Sequence, residues 1–115
     1  TCEDTQGRDW ACGTAARKAL IELLSEPRLS CESEVADRYH RALAICNNIR
    51  STDIAADQVR EGMAVSDYFY GIRSYGEEED LASTAKRGIW IGDFMPPSEW
   101  RAAHPDLRTN TQPAE

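Results

Sequence analysis

Four cysteines, at positions 2, 12, 31 and 46, fall within the first 46 residues of a 115-residue chain and constrain its fold more than any other feature. None belongs to a CxxC pair, so zinc-ligand spacing is absent. An even, widely spaced set in a small acidic chain reads as two disulfides, which implies an oxidising compartment and a secreted or periplasmic location. The other common use of cysteine is as a reduced, buried small hydrophobe. Four cysteines allow three pairings. Cys2–Cys12 and Cys31–Cys46 each close a short local loop, and the second pair would sit across the arms of the hairpin read below.

A staple matters here because a domain of this length buries only about two-thirds of the surface its unfolded chain exposes. Hydrophobic residues make up 41% and charged residues 29%, as in an ordinary globular domain. No apolar run approaches the roughly 20 residues needed to cross a bilayer, so no membrane partner is expected. With 20 acidic against 13 basic residues the net charge is −7, and the overall field repels an extended nucleic acid. A few arginines beside aromatics can still dominate their own neighbourhood.

From Thr14, Ala16, Ala19, Leu20, Leu23 and Leu24 recur at helical spacing. Thr14 is the expected cap, and Pro27 stops the helix near Glu26. Arg28–Val35 and Tyr39–Cys46 alternate as two strands of a β-hairpin joined by 36–38. Ser51, Thr52 and Asp53 are candidate caps for a second helix over IAADQVRE, with Gly62 as its left-handed terminator. A third helix opens on the acids Glu77–Asp80 and closes on Lys86, Arg87 and Gly88, matching the helix dipole at both ends. A short helix surrounds Trp100. The expected fold class is α+β, a hairpin packed with three main helices and a short C-terminal one. Residues 1–104 form a single domain, and 105–115 are expected to be a mobile tail.

Three stretches carry a resemblance to a known family. They are Asp37-Arg-Tyr-His-Arg-Ala-Leu-Ala44, then Asp53 through Gly62-Met63-Ala64, then Ala82-Ser-Thr-Ala-Lys-Arg-Gly-Ile-Trp-Ile-Gly-Asp-Phe94 running into Pro97-Ser-Glu-Trp-Arg101. In that order and spacing the chain resembles the C-terminal half of a staphylococcal-nuclease-like domain, an OB-fold barrel with three helices. The Trp-Ala-Cys-Gly segment and the cysteines resemble exported bacterial members. In the family, three earlier strands carry the calcium ligands, a glutamate general base and one phosphate-binding arginine. The thirteen residues before Thr14 show neither a strand pattern nor the corresponding motif, so the resemblance implies a partial barrel, with calcium belonging to the complete family domain and no metal site in this chain.

What the resemblance carries over is the opposite side of the site. Arg41 corresponds to the family's second catalytic, phosphate-binding arginine. Arg38 and Tyr39 are neighbouring contacts, and Tyr68 and Tyr70 match the tyrosines near the bound nucleotide. The family's glycine before the arginine is His40 here. An arginine fork matches phosphate oxygens and tyrosines offer stacking faces, so a small anionic or nucleotide-like ligand fits this set. Phosphodiester hydrolysis also needs an activated water and a clamp on the developing charge.

Each of these residues also has a plainer reading. His40 is a candidate base, or a solvated turn histidine. His104 has the same two readings. The acids Glu77–Asp80 serve a cation, or the helix dipole. Tyr68 and Tyr70 contact ligand, or cover core. Trp90, Phe94 and Trp100 read as core anchors. Two functions follow: a nuclease homologue inactive on its own, or a non-catalytic exported module for binding or assembly, of the kind linked to succinoglycan-type exopolysaccharide production. The hairpin's open edge offers a route to a homodimer.

Overall fold

The computed structural model describes residues 1–36, 39, 40, 42–66 and 75–105. Cys2–Glu3 (β1) and Asp9–Trp10 (β2) pair antiparallel, with Cys2 opposite Trp10. This hairpin corrects the expectation of no strand before Thr14. Two residues per strand are too few for alternation to show, and turn chemistry makes the hairpin instead. One carboxylate oxygen of Asp4 accepts from the amides of Gln6 at 2.8 Å and Arg8 at 2.9 Å, and the other from Arg8 Nε at 3.1 Å. Gly7, at φ +74°, turns the chain and donates to the Asp4 carbonyl.

The first helix, Cys12–Leu23 (α1), begins two residues ahead of the expected cap Thr14 and ends before Glu26. Ala11 holds the cap position without a side-chain bond, and the disulfide from Cys12 to Cys2 fixes the first residue in its place. At the other end, Asn48 Nδ2 donates to the Leu23 carbonyl at 2.6 Å and Arg50 Nη1 to that of Glu22 at 2.9 Å. Carbonyls that a helix end leaves unpaired are thus met from a distant loop.

Ser30–Ala36 (β3) and Ala42–Asn47 (β4) form the expected hairpin, although β4 starts three residues after Tyr39. Cys31 lies opposite Cys46, and a register shift falls between Ser33 and Val35. Both disulfides pair as expected, Cys2–Cys12 and Cys31–Cys46. Among the described residues the strands form two separate two-stranded sheets. They do not close into a barrel, and the fold is α+β with two hairpins and several helices.

Ile54–Arg60 (α2) is capped by Asp53, whose carboxylate accepts from the Ala56 amide at 3.1 Å. Gly62, at φ +77°, ends it: the Gly62 amide reaches the Val59 carbonyl and the Met63 amide that of Gln58, the paired bonds of a Schellman cap. Gly76–Thr84 (α3) stops short of the expected terminator Gly88. Its cap has the same pattern, with Lys86 at φ +56° in the glycine position and Arg87 donating to Ala82. Lys86 and Arg87 therefore lie past the last turn, and only the acids Glu77, Glu78 and Glu79 sit within the helix to complement its dipole. A 3-10 helix, Gly88–Ile91, and Pro97–Ala103 (α4) complete the described chain.

The described core is small: Cys2, Ile54, Ala56, Val59, Ala82 and Ile89 are buried where α2, α3, the 3-10 helix and β1 meet. No residue of α1 is buried, and Leu20, Ile21, Leu24, Leu29 and Ile45 are exposed. Trp100 is not the expected core anchor. It is 43% exposed and stacks on His104 at 4.0 Å, because α4 buries none of its residues. Trp90 and Phe94 do pack together edge to face, with ring centres 5.0 Å apart. The tail from residue 106 lies outside the described residues.

Candidate functional site

Of the residues expected at the site, the structure describes the turn beside β4. Tyr39 is half-buried and His40 is exposed, with its backbone at φ +65°. That left-handed conformation suits glycine, and histidine is one of the few other residues that visits it with any frequency. His40 therefore holds a backbone shape that glycine adopts freely, immediately before Arg41 in the sequence. Arg38, Arg41, Tyr68 and Tyr70 lie outside the described residues.

Ser66 and Tyr75, which stand on either side of positions 67–74, form a bonded base. The Tyr75 amide donates to Ser66 Oγ at 3.0 Å, and the Ser66 amide donates to Glu79 Oε1 at 2.8 Å. The Tyr75 hydroxyl donates to both carboxylate oxygens of Asp53 at 3.2 Å, which joins this base to the α2 cap. Ser51 donates to Asp57, Arg60 pairs with Asp57, and Arg60 also lies 3.7 Å from the buried carboxylate of Glu78. Arg60 is committed to two carboxylates and is not a spare phosphate ligand. Sequence reading missed Ser66 and Tyr75 in this role because their partners are 9 to 22 positions away.

An open cleft lies beyond this base. It measures about 490 Å³ and is open to solvent, and its walls include Ser66, Glu79, Trp90, Asp93 and Phe94. The indole N–H of Trp90 is buried without a partner among the described residues. The N-terminal hairpin braces this region: the Glu3 amide donates to the Asp93 carbonyl at 2.8 Å, and Cys2 bridges to Phe94.

The family model described as Staphylococcal nuclease homologue matches residues 3–92. The chain belongs to that family. No curated protein and no solved structure shows a significant match to it. In this nuclease homologue the matched stretch runs from Glu3, the second residue of β1, through the 3-10 helix. The calcium that the resemblance implies for a complete domain does not fit the donors seen here. Among the described residues no group of three or more His, Cys, Asp or Glu is arranged to hold a metal ion. The internal acids are otherwise engaged, Asp53 by its cap and Tyr75, Asp57 by Ser51 and Arg60, and Glu78 by Arg60.

Proposed function

We propose that this chain is a phosphate-recognising portion of a nuclease-like domain, which binds a compact anion through Arg38, Tyr39, Arg41, Tyr68 and Tyr70 and does not hydrolyse phosphodiesters by itself. The observation that carries this reading is the left-handed backbone of His40. Within a family match over residues 3–92, it keeps the turn before Arg41 in the form a glycine would give it. Two arginines and three tyrosines on a chain of net charge −7 suit a small phosphate-bearing ligand, and the surrounding field gives no track for a long backbone. Titrating a nucleoside 3′,5′-bisphosphate while following amide shifts tests it. Saturable changes around Tyr39 and His40, with a Kd in about the millimolar range, and no cleavage of DNA or RNA with added Ca²⁺ are expected. No shift up to tens of millimolar, or cleavage abolished by Arg41→Ala, would overturn it.

The exposed apolar side chains of α1 and β4 favour a second reading, an exported module for binding or assembly, of which exopolysaccharide production is one setting. The two disulfides support a secreted or periplasmic location for either reading. The open edges of the β3–β4 sheet are the surface through which a homodimer would form.

A further inference from the structure

Among the described residues, the walls of the cleft beside Trp90 include none of those proposed for the phosphate site, and their chemistry has the opposite sign. Among the described residues its charged walls are two carboxylates, Glu79 and Asp93, and the hydroxyls of Ser66 and Ser98 add further acceptors. The Ser66 amide holds one oxygen of Glu79 in place at 2.8 Å. Glu79 is half-buried, so its charge is less screened than that of a fully solvated acid. Among the described residues, neither Glu79 nor Asp93 forms an ion pair. Val65, Pro96 and the edge-to-face pair of Trp90 and Phe94 supply apolar and aromatic wall.

We infer that this cleft binds a guanidinium group carried on an apolar stem, the chemistry of an arginine side chain. A cation is selected because the charged groups of the described walls are acidic, as is the whole chain. The aromatic pair adds attraction for a cation held over a ring face. A guanidinium is preferred to an ammonium because its planar fork of donors can reach a carboxylate and a hydroxyl together and stack on an aromatic wall. An ammonium is a compact, more strongly hydrated charge. The apolar wall takes the methylene stem. At about 490 Å³ the cleft lies within the size range of small-ligand sites.

Titration of the isotope-labelled chain with Nα-acetyl-arginine amide tests the assignment. The amides of Ser66, Gly92 and Asp93 and the Trp90 indole N–H are expected to shift along one saturating curve, with a Kd in about the millimolar range. The uncharged isostere Nα-acetyl-citrulline amide should bind at least about ten-fold more weakly, and the lysine analogue about three-fold more weakly. Asp93→Asn and Glu79→Gln should each weaken binding by roughly five-fold, while Glu77→Gln, on the exposed first turn of α3, leaves it unchanged. The side-chain carbonyl in Glu79→Gln can still accept from the Ser66 amide, and Asp93 lies outside α3, so the pair separates loss of binding from loss of fold. Free arginine binding more tightly than the blocked form identifies the free amino acid as the source of the group, and the reverse identifies a residue within a polypeptide. Shifts that do not saturate by tens of millimolar, or equal binding of the citrulline compound, would overturn the inference.

Discussion

Gly62 and Gly88 pack backbone against backbone where the end of α2 meets the start of the 3-10 helix, and the Ile89 amide donates to the Gly62 carbonyl across 2.9 Å. Both glycines are left-handed, at φ +77° and +52°. A Cβ on either would drive into the other's stretch of main chain, at Arg87 or at Gly62 itself. This contact brings the Schellman cap of α2 against the start of the segment that carries Trp90, so one backbone approach joins the buried core to the cleft wall.

Gly62→Ala is therefore expected to cost about 2–4 kcal/mol, combining the left-handed penalty with displacement of a neighbouring backbone. Gly13→Ala in the first turn of α1 meets nothing within 4 Å and should gain roughly 0.5 kcal/mol. Urea denaturation of the two variants should move the midpoint in opposite directions. A neutral Gly62→Ala would show that the close approach is not maintained in solution.

Lys86 and His40 hold left-handed conformations without being glycine. Lys86→Gly should stabilise the chain by about 1 kcal/mol, since the Schellman bonds stay and the Cβ penalty goes. His40→Gly should gain a similar amount and leave the binding of a nucleoside bisphosphate unchanged, because the turn before Arg41 keeps its shape. Weaker anion binding in the glycine variant would give the imidazole a direct role.

The two disulfides brace different regions. Removing Cys31–Cys46 as a double alanine variant takes the staple from a two-stranded hairpin, and removing Cys2–Cys12 frees the strand that bridges Phe94. Loops of this length contribute about 3 kcal/mol each by chain entropy. Amide exchange should quicken over β3 and β4 in the first variant, and over Trp90–Phe94 in the second. Equal acceleration of both regions in either variant would mean that the hairpins unfold as one unit.

The carboxyl of Asp4 sits below its ordinary value of 3.8 because the Arg8 amide, then the Gln6 amide, and finally the Arg8 side chain donate to it, against slight desolvation. A lowered folded-state pKa means that its contribution to the N-terminal hairpin is present above pH 3.8 and is lost as pH falls through the folded value. A carboxyl titration by NMR should give Asp4 a midpoint below 3.8, with the Gln6 and Arg8 amides moving in step. In Asp4→Asn those amides should show no such titration. A midpoint at or above 3.8 in the wild-type chain would remove the turn's electrostatic support.

Much of the fold was legible because its signals are local. Asp53 caps α2 through a bond to a residue three positions on, and Gly62 ends that helix by a conformation glycine adopts freely. The β3–β4 hairpin showed as alternation, and both disulfides followed from loop length. The end of α3 was misplaced because Lys86 occupies the left-handed position that Gly88 was expected to fill. The first hairpin was missed because its information lies in an aspartate turn and not in a period.

What the amino-acid sequence determined by itself was the family, the α+β class, the pairing of the cysteines and the acidic field that disfavours a long polyanion. Each depends on residue type and on neighbours a few positions away. Only the tertiary structure decided that Glu79 holds Ser66, that Tyr75 reaches back to Asp53, and that Glu3 and Cys2 brace Asp93 and Phe94. Those contacts join residues from 13 to 92 positions apart. Their partners are selected by packing and by the need of buried polar groups for hydrogen bonds, and neither requirement leaves a period or a spacing for a sequence to display.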